Sequence, residues 1–75
     1  MNTVLNPPMD TVMRFRRLVR DRSGLILGDD KDYLLKSRLE PVARAAGLTG
    51  VADLLSQVMR APDGVLAQQC IDAMA

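Results

Sequence analysis

A chain of 75 residues with 48% hydrophobic and 25% charged side chains is too short for more than one domain and too apolar for intrinsic disorder. Its net charge is only +1, so the chain as a whole is not a polyelectrolyte. It has one cysteine (Cys70) and no histidine, which excludes an internal disulfide and leaves too few nitrogen and sulfur ligands for zinc.

The charge is unevenly distributed. Residues 1–48 carry nine basic and six acidic side chains, against one basic and three acidic in residues 49–75. An electrostatic partner is therefore expected to meet the first half. No apolar run approaches the ~20 residues that span a bilayer, and the first residues lack the basic-then-apolar order of a secretion signal. These features, with the single cysteine, point to a cytoplasmic protein without membrane insertion. Leu, Val, Ala and Met dominate the apolar set while aromatics are scarce, which favours helices. The expected fold is all-α, a compact bundle of four short helices over 10–75, with residues 1–9 as an entry segment.

Pro7-Pro8 marks that entry, because proline fixes φ and has no N–H to donate. Asp10 is a suitable N-cap for a first helix at about 10–22. Val12, Phe15, Leu18, Val19 and Arg22 share one side of it, and Arg14, Arg16, Arg17 and Arg20 fill the rest. Those four arginines read most simply as a solvated outer face. Ser23-Gly24 ends the helix, with Gly24 suited to the left-handed conformation. Leu25-Ile26-Leu27 is an apolar connection tucked into the core.

The longest helical run is 29–47, expected to be the central packing element. Asp29 or Asp30 caps it, and the cluster Asp29, Asp30 and Asp32 is read as capping rather than a cation site. Leu35, Leu39, Val42 and Ala46 share its apolar face, with Ala43 beside it. Lys31 and Arg38 flank that face, while Tyr33, Lys36, Ser37 and Arg44 lie outside it. Pro41 predicts a kink near Ser37–Arg38, because its nitrogen cannot donate to the Ser37 carbonyl. Gly47 ends the run and Leu48 folds back.

Thr49 is the expected N-cap of a third helix at about 50–60. Its stripe of Val51, Leu54, Leu55, Val58 and Met59 is the clearest amphipathic pattern in the chain. After the turn Ala61-Pro62-Asp63, a fourth helix capped by Asp63 runs toward Ala75 on a stripe of Ala67, Cys70, Ile71 and Met74. It has no stop signal, and a fragment of a longer protein is expected. Cys70 on that stripe is expected to be a buried, inert thiol.

Enzymatic chemistry is absent from the residues. No histidine stands ready to activate a serine, and no glycine-rich phosphate or dinucleotide loop occurs. Catalytic, cofactor-binding and metal sites are therefore all expected to be none in this chain. Nucleic-acid binding through the first helix is disfavoured, since net charge is low and no aromatic side chain is interleaved among the arginines.

The run from Phe15 to Leu48 resembles the N-terminal helical domain of the chemotaxis receptor methyltransferase (CheR) family. The matching signs are Phe15 with Leu18, Gly24-Leu25-Ile26-Leu27, Lys31 with Leu34, Arg38-Leu39, and Gly47-Leu48, in that order and spacing. The resemblance implies an enzyme that moves a methyl group from S-adenosylmethionine to glutamates on the cytoplasmic helices of chemoreceptors. A separate α/β catalytic domain would bind the cofactor, so this chain alone is expected to bind none and to be inactive. The resemblance also implies that Lys31, Arg38 and Arg44 are receptor-binding residues. Pro41, Val42 and Ala43 stand where some relatives carry arginines, which thins that basic face. A stand-alone helical interaction module of a bacterial sensory pathway is the alternative.

Overall fold

The computed structural model describes residues 9–75, with the Asp29 side chain left out; of the expected entry segment, residues 1–9, all but Met9 lie outside the described residues, and Met9 is part of the first helix. Four α-helices follow in order: α1 (Met9–Ser23), α2 (Asp32–Ala45), α3 (Val51–Arg60) and α4 (Val65–Met74). A single 3₁₀ turn, Asp29–Lys31, precedes α2. No strand occurs among the described residues. The all-α expectation is met.

Each of α3 and α4 is ten residues long. Helices of that length are marginal alone in water, so packing must hold them. α3 and α4 each touch every other helix, and the most extensive contacts between helices are those of α2 with α4 and with α3, as expected of a central packing element. α1 packs on α3 and α4 and meets the start of α2 through the Arg16–Asp32 pair.

The core is a single cluster that draws on every helix. Phe15, Val19, Leu39, Leu54, Leu55, Val58 and Cys70 are its largest fully buried side chains, and no polar or charged residue is buried among the described residues. The apolar stripes expected for α3 and α4 are in place. In α2 the buried set is Leu35, Leu39 and Ala43, spaced four apart, with Val42 half-buried and Ala46 exposed. Ala46 leaves the face because α2 has ended by then and the chain is turning away.

The stops follow the residues that permit them. Gly24 (φ +81°) takes the left-handed conformation just after α1, and its N–H donates to the Arg20 carbonyl at 2.8 Å. The Ser23 hydroxyl donates to the Val19 carbonyl at 2.7 Å and accepts from the Leu25 N–H at 3.3 Å. Gly47 (φ +76°) ends α2 in a Schellman turn: Gly47 N–H donates to Arg44 O at 3.1 Å and Leu48 N–H to Ala43 O at 2.9 Å. Leu48 then folds onto the core, as do Leu25 and Leu27.

Helix starts depart from expectation. Asp10 lies inside the described part of α1, which is helical from the first described residue, Met9. The residue before α2 is Lys31, before α3 Gly50 and before α4 Gly64, and none gives a side-chain capping bond. Asp30, Thr49 and Asp63 are therefore not N-caps, and the Asp29 side chain lies outside what is described. The 3₁₀ turn does for α2 what a cap would, its Lys31 N–H donating to Gly28 O at 3.0 Å. At the start of α4 a Cβ on Gly64 would approach the Ala61 carbonyl to 3.2 Å, whereas at Gly50 it would meet open space.

Pro41 lies inside an undivided α2. Both Pro41 and Ser37 are exposed, so water can satisfy the Ser37 carbonyl that proline abandons. The helix continues because Leu39 and Ala43 hold it to the core on either side of the proline.

Candidate functional site

The candidate site is a set of cations on the outside of α2 and, in Lys31, of the 3₁₀ turn that leads into it. Lys31, Arg38 and Arg44 are all exposed, and so are Lys36 and Tyr33. Leu35, Leu39 and Ala43 face inward, which forces these side chains outward. At about 100° per residue, Arg38 and Arg44 project roughly 120° apart and about 9 Å apart along the axis. Lys31 precedes Arg38 by about two turns and lies near the same edge. The fold therefore spreads the three expected contact residues over one side of α2 instead of gathering them at a point. That geometry suits an extended partner rather than a small ligand.

Ion pairing separates α2 from α1. Four of the five arginines of α1 have a carboxylate at hand: Arg14 with Asp10 at 3.3 Å, Arg16 with Asp32, Arg20 with Asp21 at 3.7 Å and Arg22 with Asp63 at 3.6 Å. Among the described residues, Lys31, Lys36, Arg38 and Arg44 have no carboxylate within pairing distance. Their charge is not cancelled at contact range inside the fold. Exposed ion pairs contribute little stability, roughly 0–1 kcal/mol each, so the contrast concerns the available field rather than the fold.

Arg38 has one internal contact. Its Nη1 donates to the Ala73 carbonyl in the last turn of α4 at 3.4 Å. α4 has no basic residue in its own last turn, so Arg38 lends it a cation where the helix dipole favours one. At that length and exposure the bond is weak. Arg38 thus covers the edge between α2 and α4 while its charge stays in water.

Two arginines of α1 do something the sequence did not suggest. Arg16, assigned to a solvated arc, is half-buried and ties α1 to the start of α2 through Asp32. Asp32 was read as a capping residue; its carboxylate serves this pair instead. Arg22 crosses to the α3–α4 turn, donating to Pro62 O at 3.0 Å and Gln68 Oε1 at 2.8 Å. No local spacing signals either contact, because the partners lie 16, 40 and 46 residues away.

No group of histidine, cysteine and acidic side chains able to hold a metal occurs among the described residues. Cys70 is buried, and desolvation pushes its thiol from 9.0 up to about 11. It therefore stays protonated at neutral pH and is not a nucleophile. Among the described residues no helix is long and apolar enough to cross a membrane.

Against known families, residues 10–75 match the model described as CheR methyltransferase, all-alpha domain. The chain belongs to that family. Individual relatives agree. A chemotaxis protein methyltransferase of Vibrio anguillarum is 38% identical over 60 residues, covering 80% of this chain and 22% of the relative. Chemotaxis protein methyltransferase Cher2 of Pseudomonas putida is 33% identical over 61 residues, covering 81% and 22%. Chemotaxis protein methyltransferase 1 of Vibrio cholerae is 37% identical over 60 residues, with 80% and 22% covered. The chain thus spans about a fifth of the length of these relatives. No solved structure matches it. The family assignment gives the bundle its identity as the all-α domain of the CheR methyltransferases.

Proposed function

We propose that this CheR all-α domain recognises the protein substrate of an S-adenosylmethionine-dependent protein-glutamate methyltransferase that acts on chemoreceptors. The observation that carries this reading is the set of exposed cations on α2 and the turn before it that have no carboxylate partner among the described residues. Lys31, Arg38 and Arg44 offer positive charge along one side of a helix, at a spacing that suits another helix lying across it. A receptor segment rich in glutamate is the complementary surface. Attraction between the two steers encounter and fixes orientation more than it adds raw affinity. The acceptor glutamates would be drawn toward the enzyme while still anionic, the form that attacks a methyl donor.

What the described residues contain supports a division of labour within the enzyme. Its described residues offer no activated nucleophile, no metal cluster and only a buried thiol. The domain binds and positions; methyl transfer and S-adenosylmethionine belong to the remainder of the enzyme. The isolated domain is expected to bind neither the cofactor nor its demethylated product.

The test is a titration of the domain with a helical receptor peptide carrying methyl-accepting glutamates, and with its Glu→Gln twin. Arg38→Ala combined with Arg44→Ala should weaken binding of the glutamate peptide roughly tenfold, about 1.4 kcal/mol. Raising ionic strength should close the gap between wild type and variant. In the whole enzyme the same pair should raise the receptor KM and leave cofactor affinity unchanged. Equal binding of both peptides, or an unaltered receptor KM, would count against substrate recognition by α2.

A further inference from the structure

On the α1 side of the molecule lies a feature that the α2 cations do not explain. An open cleft of about 190 Å³ runs between α1 and the connection that follows it, lined by Met13, Arg16, Arg17, Arg20, Ile26 and Leu27. Its floor is apolar, and two of the floor residues are unusually bare: Met13 is 56% and Ile26 77% exposed. The connection's geometry explains why. Leu25 and Leu27 turn inward onto the core, so Ile26 between them must point out. Nothing in folding requires a large β-branched side chain at that position, since a polar residue would sit there at less cost.

The walls are cationic. Arg16 is anchored by Asp32 and is half-buried, so it forms a fixed side. Arg17 is exposed and has no ion pair among the described residues, alone in that respect among the α1 arginines. Arg20 meets only its chain neighbour Asp21, at 3.7 Å. Arg17 and Arg20 are three apart on a helix and so stand side by side, about 5–6 Å between their Cβ atoms.

We propose that this cleft is a second docking surface, which takes an acidic amphipathic segment of a protein partner. An apolar side chain of the partner would sit against Met13, Ile26 and Leu27. Two carboxylates one helical turn apart would meet Arg17 and Arg20. Charge complementarity selects this occupant over nucleic acid: the cleft has no aromatic ring for a base to stack on, and Asp21 lies beside Arg20. The inference is independent of the α2 reading, because none of the residues that line the cleft is one of the α2 cations.

The experiment uses the chain as it stands, with three probes: a short stapled helical peptide carrying Leu between two Glu one turn apart, its Glu→Gln twin, and a single-stranded DNA. Backbone amide shifts map each binding surface, and anisotropy gives affinity. The glutamate peptide should shift residues of α1 and the Gly24–Gly28 connection. Arg17→Glu with Arg20→Glu should weaken it roughly tenfold or more, and Ile26→Ser should weaken it with unchanged helicity. The pair Arg38→Glu and Arg44→Glu should leave it unaffected, which separates this site from the α2 surface. Shifts confined to α2, equal affinity for the glutamine twin, tighter DNA binding at the cleft, or self-association of the chain through Ile26 would each overturn the proposal.

Discussion

Replacing Gly47 with alanine should destabilise the domain through the backbone alone. Gly47 has φ +76°, where a Cβ crowds the following carbonyl and costs roughly 1–2 kcal/mol. A Cβ built there meets no other atom within 4 Å, so steric contact with neighbours adds nothing. Part of the cost is recovered because alanine restricts the unfolded chain, by about 0.4–1 kcal/mol. The net loss is therefore on the order of 1 kcal/mol, or about 4–8 °C in Tm for a domain of this size. Gly50 supplies the control. It also has open space around a Cβ, but its φ of 173° is ordinary extended backbone. Gly50→Ala should thus be neutral or slightly stabilising. Urea denaturation followed by helical circular dichroism reads both variants. If the two alanines have the same effect, the left-handed turn is not what ends α2, and the role given to Gly47 is refuted.

Phe15→Ala removes the largest fully buried side chain and should cost about 3–5 kcal/mol. A domain of this length has roughly 4–11 kcal/mol to lose, so the variant should be partly or wholly unfolded at 37 °C by calorimetry. Cys70 predicts a pH effect. Its thiol is neutral in both states below pH 9.0, so it adds no pH dependence there. Between 9.0 and about 11 the unfolded chain ionises while the folded one stays protonated. Stability should then fall with rising pH, by on the order of 2 kcal/mol. Cys70→Ala, although less stable at neutral pH, should lack that part of the alkaline slope. Denaturant melts at several pH values between 8 and 11 make the comparison.

The helices, their faces and their ends were mostly legible because those are local properties. Val51, Leu54, Leu55 and Val58 recur at the helical period whatever surrounds them, and all four are buried. Gly24 and Gly47 stop helices because they alone take a positive φ at low cost. Helix starts were read less well. Asp30, Thr49 and Asp63 have the right chemistry for capping, but the chain enters through Lys31, Gly50 and Gly64. A cap requires a particular backbone approach as well as a side-chain oxygen, and that approach is set by the angle at which neighbouring helices pack.

What the sequence determined by itself was an all-α bundle of the CheR type with its excess positive charge in the first half. The bundle follows from apolar period and glycine stops and the charge from residue order, while the CheR type rests on the family resemblance carried by Phe15, Lys31, Arg38 and Gly47. Only the tertiary structure decided which of those charges remain available. Arg16 is drawn to Asp32 and Arg22 to the Pro62–Gln68 corner, across separations that no sequence pattern encodes. Lys31, Arg38 and Arg44 form no ion pair among the described residues, while Leu35, Leu39 and Ala43 hold the opposite face of α2 in the core. A charge is set by its side chain, but its neutralisation depends on what comes within a few ångströms, and that distance is a property of packing.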